Sequence, residues 1–220
     1  MGLVRALAAG TALFAAHAGA YDAPSAAGHA ATQRIESMNA APAVPTRVED
    51  ADARLEVQFA SPSPDTVQVR YRLRNAGDAP LAVFDRGNRH AVLAKRQAAG
   101  DVGAPTFEDI GGGDVVLRHV ALPSSSGGPT GPTVPATPLA WKLEPGATLV
   151  GGFSFQIPTS PPPERVRWCL GVAAFDGEGF FSPESVADGE VWQANDAAVQ
   201  AQRTLCTPWF DLAAGGFVKG

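Results

Sequence analysis

The chain is short of the residues that most enzymes and metal proteins are built around. It has two cysteines and four histidines in 220 residues, and Asp, Glu, Lys and Arg together make up only 18%. Cys169 and Cys206 form no C-x-x-C pair and have no neighbouring histidine, which argues against a redox centre or a thiolate zinc site. Gly-x-Ser-x-Gly is missing, and no phosphate-binding glycine loop follows a strand pattern, so neither a hydrolase elbow nor a nucleotide cradle is offered. Paired acids such as Asp176 and Glu178 occur in any acidic stretch and carry no specificity. These absences point to a protein that is not an enzyme and needs no cofactor or metal.

Long apolar runs are missing too. The Ala/Leu-rich stretch from Ala6 to Ala16 is well short of the roughly 20 residues that a spanning helix needs, so no membrane span is expected. Arg5 precedes it and Ala18-Gly19-Ala20 follows, the layout of a secretory signal peptide over 1–20. The mature chain is therefore expected in the periplasm or outside the cell. Cleavage removes Arg5 and takes the formal net charge from −5 to −6. With that balance and no evident basic cluster, nucleic acid and anionic membranes are poor partners on charge grounds. Export also makes a Cys169–Cys206 disulfide the default.

What the chain does have is glycine and proline, 24 and 19 of them, between short alternating segments. "RLEVQFA" and "TVQVRYRLR" place Leu55, Val57, Phe59, Val67, Val69, Tyr71 and Leu73 at one parity, which predicts strands with one buried face. Asn75-Ala-Gly-Asp then turns the chain into "PLAVF", and Pro145-Gly146 fits the centre of a second tight turn. Leu149, Phe153 and Phe155 continue the pattern, as do Val166, Trp168, Leu170 and Val172. Cys169 and Cys206 fall at the opposite parity in their segments, so both thiols are expected to face away from the core. The predicted organisation is a flexible Ala/Pro-rich lead-in over 21–48, a β domain over 49–212 and a frayed tail over 213–220. A short helix over 31–38 fits the lead-in. Seven to nine strands with frequent turns and no helical period predict an antiparallel β-sandwich.

The segments "YRLRNAGDAPLAVFDRG" and "LEPGATLVGGFSF" resemble bacterial extracytoplasmic immunoglobulin-like domains, of which BsuPI-type proteinase-inhibitor domains are one family. The resemblance covers turn-and-strand grammar in two segments. It implies an immunoglobulin-like sandwich and carries no site residue across.

Three places could hold chemistry. Asp85, Asn88 and His90 could ligate a cation, although such residues are ordinary turn formers. The acidic stretch 176–202 is read as a long loop, without calcium-loop spacing. Phe180, Phe181 and Trp192 within it either pin that loop to the sandwich or form a candidate partner-binding loop. The function expected from the sequence is a non-catalytic secreted or periplasmic binding or accessory module with a protein partner. The alternatives are a proteinase inhibitor acting through the 124–138 or 176–202 loop, and, third, a hydrolase.

Overall fold

The alternating segments become strands in the computed structural model, which describes residues 44–123 and 136–218. Segments 1–43, 124–135 and 219–220 lie outside the described residues. They include the expected signal peptide, the 31–38 helix, most of the lead-in and most of the Ser/Gly/Pro loop.

The first sheet contains β1 (Val44–Glu49), β2 (Ala53–Ser63), β3 (Thr66–Asn75) and β8 (Thr148–Gln156), antiparallel and in the order β1-β2-β3-β8. Its strands alternate because one face meets water and the other meets the second sheet. Leu55, Val57, Phe59, Val67, Val69, Tyr71 and Leu73 are all buried, as expected. Phe153 and Phe155 of β8 are only half-buried, since β8 is the sheet's outer strand and has no strand beyond it to cover them.

The second sheet runs β10 (Phe180–Val186), β11 (Gly189–Ala194), β7 (Leu139–Leu143), β4 (Leu81–Val83) and β9 (Arg165–Ala174). Strand β9 is its spine. One edge of β9 takes β4 at Val172 to Ala174 and β6 (Asp114–His119) at Arg165 to Leu170. The other edge takes β12 (Arg203–Cys206) and β13 (Phe210–Asp211). Strand β5 (Thr106–Gly111) extends the sheet beyond β6, and β14 (Gly216–Phe217) beyond β13. The two short helices are α1 (Arg89–Leu93) and α2 (Asp196–Gln200).

The molecule is an all-β sandwich, with more strands than the seven to nine expected. The pairing is not wholly antiparallel either, because β6 lies parallel to β9. The three residues of β4 cover only the far end of β9, and the near end is filled by a strand arriving from the β5–β6 hairpin.

Four features differ from the sequence-based picture. The sandwich starts at Val44 rather than Glu49, because β1 pairs with β2 and packs Val44 and Val48 on the core. The tail is not wholly frayed, since Phe217 lies 5.2 Å from both the Phe59 and Phe210 rings. The 176–202 stretch is a β10–β11 hairpin followed by α2, not a loop. Lastly, the outer face of the second sheet is not bare. Ala82, Ala140 and Ala173 are buried there under Phe84, Phe180, Ala198 and Val199, a second apolar layer contributed partly by α2.

Cys169 and Cys206 are register partners on β9 and β12 and are joined by a disulfide, with Cα atoms 4.0 Å apart. Their shared parity away from the inner core is as expected. Facing away from the inner core does not expose Cys169, which is fully buried on the outer face.

Asn75 connects the sheets. Its side-chain amide donates to the Ala79 carbonyl at 2.8 Å and to Leu143 O of β7 at 3.0 Å, and its carbonyl oxygen accepts from Gly77 N. The predicted Pro145-Gly146 turn closes with Ala147 N donating to Glu144 O, Gly146 taking a φ of 73° that disfavours other residues.

Candidate functional site

On the water-facing side of the first sheet, three residues of β3 repeat every second position: Arg70, Arg72 and Arg74. The register adds neighbours from β1 and β2. Arg74 lies opposite Arg54, which lies opposite Glu49; Arg72 lies opposite Glu56, which lies opposite Arg47; Arg70 lies opposite Gln58. Five exposed arginines and two glutamates thus share one face, a surplus of three positive charges on a chain whose formal net charge is −5.

Internal pairing neutralises little of it. Arg47 pairs with Glu49 at 2.6 Å, and Arg54 reaches the same carboxylate at 4.0 Å. Among the described residues, Arg70, Arg72 and Arg74 have no ion-pair partner. Like charges directly opposite on adjacent strands, as at Arg54 and Arg74, destabilise a sheet. A groove of about 540 Å³ crosses this face, with Arg47, Arg70 and Arg72 beside Pro45 and Val150. The outward positions of the four strands carry no aromatic side chain. The face therefore offers charge and guanidinium donors but no stacking platform. No segment of the sequence shows a five-arginine cluster, because only register brings the arginines of three strands together.

Between the sheets the polar groups form two clusters. Asp85, fully buried just after β4, accepts a short hydrogen bond from the Tyr71 hydroxyl of β3. Its other carboxylate oxygen lies 3.2 Å from Arg86 Nε, off the line of a hydrogen bond, so their attraction is coulombic. Burial, reinforced by the Asp85 charge, drives the Tyr71 phenol far above its usual range, so it remains a donor. Gly151 of β8, opposite Tyr71, makes room for that hydroxyl, since a Cβ there would overlap it.

The second cluster is neutral. Trp168 Nε1 donates to His119 Nδ1 at 2.9 Å, and His119 Nε2 lies 2.8 Å from the Gly103 carbonyl. An indole can only donate, so His119 carries its proton on Nε2. Burial holds the His119 pKa below the usual imidazole value, against the opposing hydrogen bond to Gly103. Phe153, Tyr71 and Trp168 enclose the site, with the Tyr71 and Trp168 rings 4.8 Å apart.

The candidate residues read from the sequence are not brought together. Asp85 is committed to Tyr71 and Arg86. Asn88 caps α1 by accepting from Ala91 N at 2.9 Å, and His90 sits half-buried in that helix. No group of three or more His, Cys, Asp or Glu side chains able to hold a metal ion occurs among the described residues. Phe180 is buried, stacked on Phe175 with centroids 4.6 Å apart, and Trp192 meets the edge of the same ring. Phe181 alone of the three is exposed. All three stand on strands, so they do not form one displayed loop surface. Among the described residues, no helix is long and apolar enough to cross a membrane. No protein-family model, curated protein or solved structure matches the chain.

Proposed function

We propose that the chain is a non-catalytic binding module of the periplasm or cell exterior, and that it docks an acidic protein segment on the arginine face of its first sheet. The observation that carries this reading is the five-arginine face on an acidic chain, with Arg70, Arg72 and Arg74 left unpaired among the described residues. Alternate residues of one strand stand about 6.6–6.8 Å apart, and so do alternate acids of an extended partner. A partner of that kind would relieve the opposed Arg54–Arg74 pair and offer carboxylates to guanidinium forks. The lack of an aromatic platform favours a polypeptide over single-stranded nucleic acid, whose bases stack. The bridged cysteines, the secretory layout of residues 1–20 and the resemblance to extracytoplasmic immunoglobulin-like domains all support the compartment. The acid–base groups Asp85, Tyr71 and His119 are sealed within the core, which supports a role without catalysis.

The test is fluorescence anisotropy with a labelled peptide of alternating Asp and Ser, at low and high salt. Arg70→Ser/Arg72→Ser/Arg74→Ser lies on the water face and should fold normally while losing binding at least tenfold. Wild-type affinity should drop steeply with salt. Equal binding by the triple variant, or none by wild type at low salt, would overturn the proposal. Tighter binding to single-stranded DNA or to anionic vesicles would reassign the partner and reject an acidic protein.

A further inference from the structure

On the side of the sandwich where β8 of the first sheet faces β7 of the second, a cavity of about 590 Å³ opens, and Arg86 lines it. The volume is within the usual range for small-molecule sites, roughly 300–1,000 Å³. Arg86 is only 4% exposed, yet its guanidinium is under-used. Nε faces Asp85, and Cζ lies 4.7 Å from the centroid of the Trp141 ring. Its terminal nitrogens have no hydrogen-bond partner among the described residues. Unlike Nε, these nitrogens are not sealed from solvent; they open onto the cavity, and together they form the fork that fits a carboxylate.

The walls are built to the same end. Trp141 holds the guanidinium from one side and lines the cavity. The β10–β11 turn closes over that indole only because position 189 is glycine, since a Cβ there would come within 2.5 Å of Trp141 Cζ2. Leu143 and Leu149 add apolar lining. The mouth is acidic: Asp188, Glu190 and Glu144 outnumber Lys142, which is itself paired with Glu144 at 2.8 Å. A polyanion is repelled by such a rim. A ligand with a single carboxylate at its deep end and an ammonium group at its outer end fits both charges.

We infer that this cavity is a binding site for a small zwitterion of the amino-acid type, with Arg86 receiving its carboxylate and Asp188 and Glu190 its ammonium group. The site is separate from the arginine face and goes beyond the docking role, so either can fail alone.

The Trp141 indole N–H resonance reports on the cavity directly. It should shift saturably with millimolar L-leucine, at least fivefold more weakly with N-acetyl-L-leucine, which lacks the ammonium, and not at all with L-leucinamide, which lacks the carboxylate. Asp188→Asn, in an exposed turn, should weaken L-leucine about fivefold and leave N-acetyl-L-leucine unchanged. Arg86→Gln should abolish both responses; if that variant fails to fold, the three ligands and Asp188→Asn still decide. Equal response to leucinamide, no saturable shift with either carboxylate, or an Asp188→Asn effect identical on both carboxylates would overturn the assignment.

Discussion

The two sheets differ in what lies outside them, and that difference governs both stability and legibility. The first sheet has water on its outer face, so β2 and β3 alternate strictly between buried and exposed residues. The second has a further apolar layer outside it, so β4 and most of β9 are buried on both sides. One sheet therefore spends its outer positions on charge, where a partner can reach them. The other spends them on small residues and a disulfide, where only packing can.

The largest effect belongs to the buried ion pair. Asp85→Asn leaves the Arg86 charge without its counter-ion and should cost about 3–5 kcal/mol. Glu49→Gln, which breaks the exposed pair with Arg47, should cost at most about 1 kcal/mol. Urea unfolding of the two variants measures both, and comparable losses would show that Asp85 is not sealed. Next comes the bridge. Its partners are 37 residues apart, and closing a loop of that size is worth roughly 3–4 kcal/mol in the chain-entropy account. The Cys169→Ala/Cys206→Ala variant should lose about that much and still bind the acidic peptide, because the arginine face lies on the other sheet. Two free thiols in the unfolded, unreduced wild type would remove the basis of this prediction.

Overpacking tests the outer layers themselves. Ala140 is fully buried on the covered face, so Ala140→Leu should cost about 1–3 kcal/mol. Gln68→Leu, on the open face of β3, should stay within about 0.5 kcal/mol. Thermal unfolding reads both, and equal shifts would mean that the second sheet's outer layer is loosely packed.

The same contrast decides what the sequence could reveal. Where water bounds one face, parity alone identifies the core, as it does for Leu55, Val57, Phe59, Val67, Val69, Tyr71 and Leu73. The match in parity of Cys169 and Cys206 was likewise visible, because their strands are adjacent and in register. The burial of Cys169 was not, since the outer face of its sheet carries a second apolar layer built partly by Phe180 and α2, from a segment that reads as an acidic loop. The β10–β11 hairpin has exposed Ser182, Glu184 and Ser185 on β10, and this composition is shared by strands at a sheet's margin and by loops. Strand β1 is not legible in the sequence, because Val44, Thr46 and Val48 offer little apolar contrast until β2 pairs with them. The arginines of β3 fall at the parity opposite its buried residues, but the charge of the whole face depends on register with β1 and β2, which no single segment encodes. Arg86 reads as a turn residue beside Asp85. It is buried with its guanidinium against Trp141, a residue distant in sequence.

The smallest effect is a pH dependence, and it separates the two buried polar clusters. His119 is neutral in the fold because Nδ1 accepts from Trp168 and burial opposes the charged form. Protonation would put a second N–H against the indole N–H. The folded pKa thus lies below the unfolded value of about 6.5, so the unfolded chain binds the extra proton first as the pH drops. The contribution of His119 is fully present above about pH 6.5 and is lost below it, by up to about 1.4 kcal/mol per pH unit until the folded pKa is reached. His119→Gln can keep an acceptor for Trp168 and has no proton to gain. Unfolding free energies of wild type and this variant, measured between pH 7.5 and 5.5, should converge as the pH falls, with wild type losing more. Parallel curves would show that the imidazole titrates alike in both states, and the closed, neutral reading of the His119–Trp168 cluster would have to be given up.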